Sequence, residues 1–199
     1  MQVPGTEGQP RAGVDPAKNL LRAELAAARA DHAETAAASQ ARTTRALNAC
    51  AGAAVVACYL SRPEEPDTTD LLHQLVADGV GVLVPVLRRD PDWAWFTGFD
   101  ELVAGPHGIR QPPGPGLGGS ALGLADWIWL PGMAGTADGR RLGTGGGWYD
   151  RALGQARSNA VRGLLLFDRE VRAEVPTQSW DLPVDLLVTE CRTIRVGAE

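Results

Sequence analysis

The chain has 199 residues, 44% hydrophobic and 22% charged, which is enough for one sizeable core and little more. A formal net charge of −5 argues against a generic nucleic-acid binder. The apolar runs at 53–60 and 80–87 fall far short of the ~20 residues that cross a bilayer, and no basic segment leads into an apolar one at the amino terminus. The expectation is a cytoplasmic monomer that engages neither nucleic acid nor membrane.

Cys50, Cys58 and Cys191 form no C-x-x-C pair and read as reduced thiols, small enough to fill apolar sites. His32, His73 and His107 are scattered, so no zinc motif forms. Of the 19 basic residues only Lys18 is a lysine, which suggests that a compact ammonium is needed there rather than a planar guanidinium.

Residues 1–14 hold several Gly and Pro and no apolar period; they are expected to be a disordered leader to a single α/β domain over 15–199. Asp15-Pro16 reads as an N-cap followed by proline at the first helical position, and Leu20, Leu21, Leu25 and Ala28 recur at helical spacing. Asp31-x-x-Glu34 predicts a capping-box start to a second, Ala-rich helix reaching about Leu47. The pattern then alternates. A strand over 53–60 is followed by a helix over 70–77, capped by Thr68 and closed by Gly79. Strands over 80–87 and 92–96 come next, then a loop over 105–119 and a strand over 127–130. A long glycine-rich connection over 131–147 leads to a helix over 148–157, and apolar strands over 163–167 and 184–188 complete the set. Strands alternating with helices predict a three-layer α/β fold, a mostly parallel sheet with helices on both faces. In such sheets ligands bind beyond the carboxyl ends of the strands. That rule points to the segment after Leu60, the glycine loop beyond Leu130 and the segment around Asp185.

The most informative stretch runs from Arg140 to Arg151. Within it, Gly143-Thr144-Gly145-Gly146-Gly147 strips side chains from the backbone, so that N–H groups can close around phosphate oxygens. Arg141 offers a planar charge to a polyphosphate, and Asp150, in the first turn of the following helix, is a candidate Mg²⁺ ligand. The lysine of a Walker A loop is absent, Trp148 stands where a dinucleotide fingerprint needs its last glycine, and no G-x-S-x-G elbow exists. Taken alone, the segment reads equally well as a flexible turn with a capping acid.

Four motifs in order resemble the 5-formyltetrahydrofolate cyclo-ligase family, also called 5,10-methenyltetrahydrofolate synthetase, over roughly residues 17 to 190. They are Lys18-Asn19-Leu20-Leu21-Arg22; Tyr59-Leu60-Ser61 with Glu65-Pro66-Asp67-Thr68; Arg141-Leu142-Gly143-x-Gly145-Gly146-Gly147-x-Tyr149-Asp150; and Asp181-x-Pro183-Val184-Asp185 through Thr189. The resemblance implies a NagB/RpiA/CoA-transferase-like scaffold. It implies an ATP site made by Lys18, Arg22, Arg141, Leu142, Gly143, Thr144, Gly145, Gly146, Gly147, Trp148 and Tyr149. It also implies a folate site at Leu60, Glu65 and Trp148, and Mg²⁺ on Asp150 and Asp185. The implied reaction is the ATP- and Mg²⁺-dependent conversion of 5-formyltetrahydrofolate to 5,10-methenyltetrahydrofolate, with ADP and phosphate released and no dedicated catalytic nucleophile. The chain departs from the family pattern at Gly135, Thr136, Thr144, Trp148 and Trp180, and these departures motivate an alternative, a non-catalytic folate- or nucleotide-binding relative.

Overall fold

The computed structural model describes residues 15–178 and 180–197; the leader expected over 1–14 lies outside the described residues. Among the described residues the helices are α1 (Pro16–Ala30), α2 (Ala36–Ala49), α3 (Thr69–Ala77) and α4 (Trp148–Leu153). The strands are β1 (Val55–Cys58), β2 (Gly81–Val86), β3 (Asp92–Trp95), β4 (Val103–Ala104), β5 (Arg110–Gln111), β6 (Trp127–Leu130), β7 (Ala134–Gly135), β8 (Arg141–Leu142), β9 (Val161–Leu165), β10 (Leu186–Val188) and β11 (Thr193–Arg195). No described helix is long and apolar enough to cross a membrane.

Seven strands form one sheet in the order β11-β10-β9-β6-β1-β2-β3. The five central strands run parallel, and β3 and β11 pair antiparallel at the two edges. The pleat sends alternate residues to opposite faces, and both faces are buried. Val56, Cys58, Val82, Val84, Trp127 and Trp129 join the core beneath α2 and α3. Ala57, Leu83, Ile128, Leu130, Leu164 and Leu187 join the core beneath α4. Gly163 makes room in this lattice, since a Cβ there would sit 2.3 Å from the Trp129 ring. The expected three-layer α/β fold is what the structure has.

Chain order within the sheet creates the functional end of the molecule. From β1 the chain moves outward to β2 and β3, then returns to the other side of β1 to lay down β6, β9 and β10. Connections leaving β1 and β6 therefore part in opposite directions and open a crevice at the carboxyl ends of these two strands.

Several boundaries differ from the sequence expectation for local reasons. Asp15 caps α1 as expected, accepting from the Ala17 and Lys18 N–H groups at 3.0 and 3.3 Å. The second helix is capped by Thr35, whose hydroxyl accepts from Ala38 N–H at 3.2 Å, whereas Asp31 ends α1. Glu34 is drawn away from any capping box by the buried Arg42 guanidinium, with one contact at 2.8 Å. Helix α4 stops at Leu153, ahead of Gly154, and the expected continuation to Arg157 is a turn. The glycine-rich connection is not a plain loop: Met133 to Leu142 folds into the β7–β8 ribbon, laid over Leu164 and Leu187. A Cβ on Gly135 would lie 2.7 Å from Leu164 Cδ2, so glycine is what allows that approach. Strand β11 was not expected, because three residues carry too little periodicity to read.

Thr68 begins α3 without giving it a side-chain cap. Its hydroxyl donates to the Tyr59 carbonyl at 2.9 Å and accepts from Ser61 N–H at 3.2 Å, while Asp67 Oδ1 takes Thr69 N–H at 2.9 Å. Burial raises the Asp67 carboxyl, but the Thr69 N–H and hydroxyl, the Ser61 hydroxyl and the Arg42 charge outweigh it and hold the pKa below the ordinary value. A depressed carboxylate contributes stability above its unfolded pKa, and that contribution is lost as pH falls through the folded value. Asp67→Asn is therefore expected to flatten the acid limb of the stability curve, measured by urea midpoints between about pH 5 and pH 2. An acid limb identical to that of the wild type would show that Asp67 titrates alike in both states.

Candidate active site

Loops from both sides of the β1/β6 crevice carry the candidate residues. On the β1 side, Leu60 is buried, and Glu65 is held with one oxygen on Arg62 N–H and the other on the Arg62 guanidinium, each at 3.0 Å. The Tyr59 hydroxyl donates to the Pro66 carbonyl at 2.8 Å and pins this loop to the strand end. Glu65 also lines a cavity of about 690 Å³ at this edge, walled by Arg29, His32, Glu34, Ser61 and Phe167 among others. That is the size of a site for a fused heterocycle and its substituents.

On the β6 side the β8 end delivers Arg141 and the glycine loop. Arg141 is buried and donates to Asp150 Oδ1 at 2.6 Å; its Nε finds no acceptor among the described residues. Gly145 and Gly147 take φ values of +101° and +60°, open to glycine at little cost. Gly145 also lies against α1, where a Cβ would meet Arg22 Cζ at 3.2 Å. Arg22 Nε donates to the Gly143 carbonyl at 2.9 Å. The first helix and the glycine loop, 121 residues apart in sequence, thus share one surface. Thr144, Gly145 and Gly146 are exposed on it, and Leu142 is buried beneath, packed with Leu25, Met133 and Val175.

At the start of α4, Trp148 and Tyr149 meet edge to face, with ring centres 4.9 Å apart, and both lean on Trp93. Trp148 Nε1 donates to the Arg88 carbonyl at 3.2 Å, just beyond the carboxyl end of β2. The Tyr149 hydroxyl is buried without a partner among the described residues. Burial holds its pKa well above the ordinary phenol value, the Cys58 and Glu65 charges push the same way, and Arg141 opposes. The phenol therefore stays protonated in its buried position.

Lys18 lies one turn before Arg22 on α1, and its ammonium is buried against Asp181 at 2.5 Å and Gln178 at 3.4 Å. Asp185 is not brought to this cluster. It stands exposed at the amino end of β10, not at a carboxyl end, and its Oδ2 accepts from Arg162 N–H at 2.7 Å. No contact joins it to Asp150 among the described residues; instead Asp181, four residues earlier, reaches the basic surface. Among the described residues, no three His, Cys, Asp or Glu side chains cluster as a ready-made metal cage. Asp150 still suits Mg²⁺, which commonly takes one carboxylate plus substrate phosphates and water: its side chain is 30% exposed and only Oδ1 is engaged.

Sequence reading placed Asp181 in the fourth motif without giving it a partner, and it missed the Arg29–Glu170 pair. Their partners lie 163 and 141 residues away, and no local pattern signals a contact at that range.

Comparison with known proteins gives a consistent result. The model of the 5-formyltetrahydrofolate cyclo-ligase family matches residues 14–190. A 5-formyltetrahydrofolate cyclo-ligase of Mycolicibacterium smegmatis is 34% identical over 146 residues, covering 70% of this chain and 75% of the relative. One from Escherichia coli is 31% identical over 139 residues, covering 67% and 76%. The solved 5,10-methenyltetrahydrofolate synthetase of Aquifex aeolicus superposes with a TM-score of 0.77 at 25% identity, covering 92% of this chain and 94% of that one.

Proposed function

The chain belongs to the 5-formyltetrahydrofolate cyclo-ligase family, and on that premise we propose that it closes 5-formyltetrahydrofolate to 5,10-methenyltetrahydrofolate at the expense of ATP. The observation that carries the ATP half of this reading is the joining of Arg22 to the glycine loop, with Arg141 and Asp150 beside it. Two cations and a bare backbone turn present donors to a triphosphate tail without side chains in the way. Lys18 adds a third cation from the same helix.

The chemistry explains why such a surface is required. An N-formyl group is a poor electrophile, and its oxygen does not leave as hydroxide at a useful rate. The formyl oxygen attacks the γ-phosphorus, breaking the bond to the β-bridging oxygen and releasing ADP, so that the oxygen becomes a phosphate ester. N10 then attacks the activated carbon, the C–O bond breaks, phosphate leaves, and N10 loses its proton. Phosphoryl transfer asks mainly for alignment and charge neutralisation. In this chain Arg22, Lys18 and the Gly143–Gly147 backbone hold the tail, and Arg141 neutralises the transferring group. Asp150 would hold Mg²⁺, which supplies further neutralisation at the phosphates. Leu60 and the Trp148 ring would take the faces of the pterin, with Glu65 accepting from its ring N–H and amino groups.

Purified protein given 5-formyltetrahydrofolate, MgATP and no other enzyme is expected to form methenyl product with one ADP per turnover. Folate binding without ADP formation would favour a non-catalytic relative instead, and turnover without ATP would favour an isomerase or transferase on a similar scaffold. The same reading is of a cytoplasmic monomer acting on small molecules, without a nucleic-acid or membrane partner.

A further inference from the structure

We infer that Asp181 is a positioning residue for the reaction, acting through Lys18; the inference rests on the ATP reading above. Lys18 is the single lysine of the chain, and its side chain is only 7% exposed. A lysine on a helix surface ordinarily samples many rotamers, and whatever binds it must take that freedom away. Here the freedom is lost during folding. The ammonium donates to Asp181 Oδ2 at 2.5 Å and toward Gln178 Oε1 at 3.4 Å, which leaves one of its three N–H groups without a partner among the described residues. Asp181 is itself fixed, because the same Oδ2 accepts from Gln178 N–H at 2.7 Å.

The segment that carries this clamp is anchored to the helix it serves. Val175 packs with Leu25 of α1 and with Leu142 of β8, just before the glycine loop. Asp15, which caps α1, takes the backbone N–H of Lys18 and fixes the first turn from the other side. The third ammonium proton is thereby held in a set relation to Arg22, one turn on, and through it to Gly143. Without the carboxylate a buried ammonium would be left uncompensated, and the flexible stem would carry it out to water. Asp181 therefore acts by aiming the lysine. It does so at the cost of offsetting part of the lysine's charge, so the two effects oppose, and the burial of the pair favours aiming.

The test uses the full chain. Wild-type turnover with ADP formation is measured first; its absence overturns the ATP reading and this inference with it. Given active wild type, Asp181→Asn is expected to raise the KM for ATP about tenfold, the loss of one charge-assisted hydrogen bond. The KM for 5-formyltetrahydrofolate should stay near wild type. Lys18→Ala should raise the ATP KM at least as much, and the double variant should match Lys18→Ala, because Asp181 has no other route to the nucleotide. Asp181→Glu, which keeps the charge and moves it by one methylene, should raise the ATP KM by about threefold and serves if the Asn variant does not fold. An unchanged or lower ATP KM in Asp181→Asn, parallel losses on both substrates, or additive losses in the double variant would each overturn the inference while leaving the ATP reading intact.

Discussion

Glu170→Gln is expected to destabilise the fold by about 3–5 kcal/mol, the cost of leaving one member of a buried ion pair without its partner. The pair is enclosed: Arg29 and Glu170 side chains are 3% and 1% exposed. Arg29 Nε and an Arg29 terminal nitrogen meet the two carboxylate oxygens at 2.7 and 2.9 Å, and that terminal nitrogen also donates to the Gly132 carbonyl at 2.6 Å. The carboxylate in turn takes Phe167 N–H at 3.2 Å, and the guanidinium lies 5.7 Å from the centre of the Phe167 ring. One pair thus ties the end of α1, the start of the β7–β8 ribbon and the turn after β9. Glutamine keeps the shape and an acceptor, but the buried guanidinium charge is then uncompensated. Urea unfolding at constant slope measures the loss. A change below about 1 kcal/mol would place the pair with exposed salt bridges, contrary to its burial.

Asp150→Asn is expected to reduce kcat/KM for ATP by about 100-fold or more, since on the proposed reading neutralisation of phosphate charge is the main service of this site. The KM for folate should change little, and the Mg²⁺ dependence of the residual rate should flatten. Asp150 has two tasks, because Oδ1 is already bonded to the buried Arg141 guanidinium at 2.6 Å. The asparagine can still accept from Arg141, so the arginine stays placed while the proposed Mg²⁺ would lose its anionic ligand. Magnesium titrations of the variant separate the two tasks. A rate loss with an unaltered Mg²⁺ profile would assign Asp150 to holding Arg141 alone.

Much of the architecture could be read along the chain. Alternating apolar runs announce strands buried on both faces, Asp15-Pro16 announces α1, and Gly79 at φ +78° ends the α3 turn as its position implies. These signals are local: a cap, a period or a positive φ depends on neighbours a few residues away. At two places a partner outside the local pattern had intervened. Glu34 left its capping role for Arg42, and the glycine-rich connection became a ribbon because Leu164 and Leu187 offered it a surface.

The candidate site divides in the same way. Residue types with inherent chemistry, the glycine loop with Arg141 and Asp150 and the basic pair Lys18 and Arg22, were visible as motifs, and their family resemblance implied phosphate binding before any fold was known. Their assembly was not. That Arg22 reaches Gly143, that Asp181 rather than Asp185 turns toward the basic surface, and that Arg29 and Glu170 lock the frame all depend on how β6, β9 and α1 stack. By itself the sequence determined most of the secondary elements and the layering, because these follow from residue type and short-range spacing; the kind of ligand came only as an expectation, from the family resemblance of four ordered motifs. Which charges neutralise one another and which stay free for a substrate was decided only in the tertiary structure, since pairing energies depend on distance and burial across more than a hundred residues of chain.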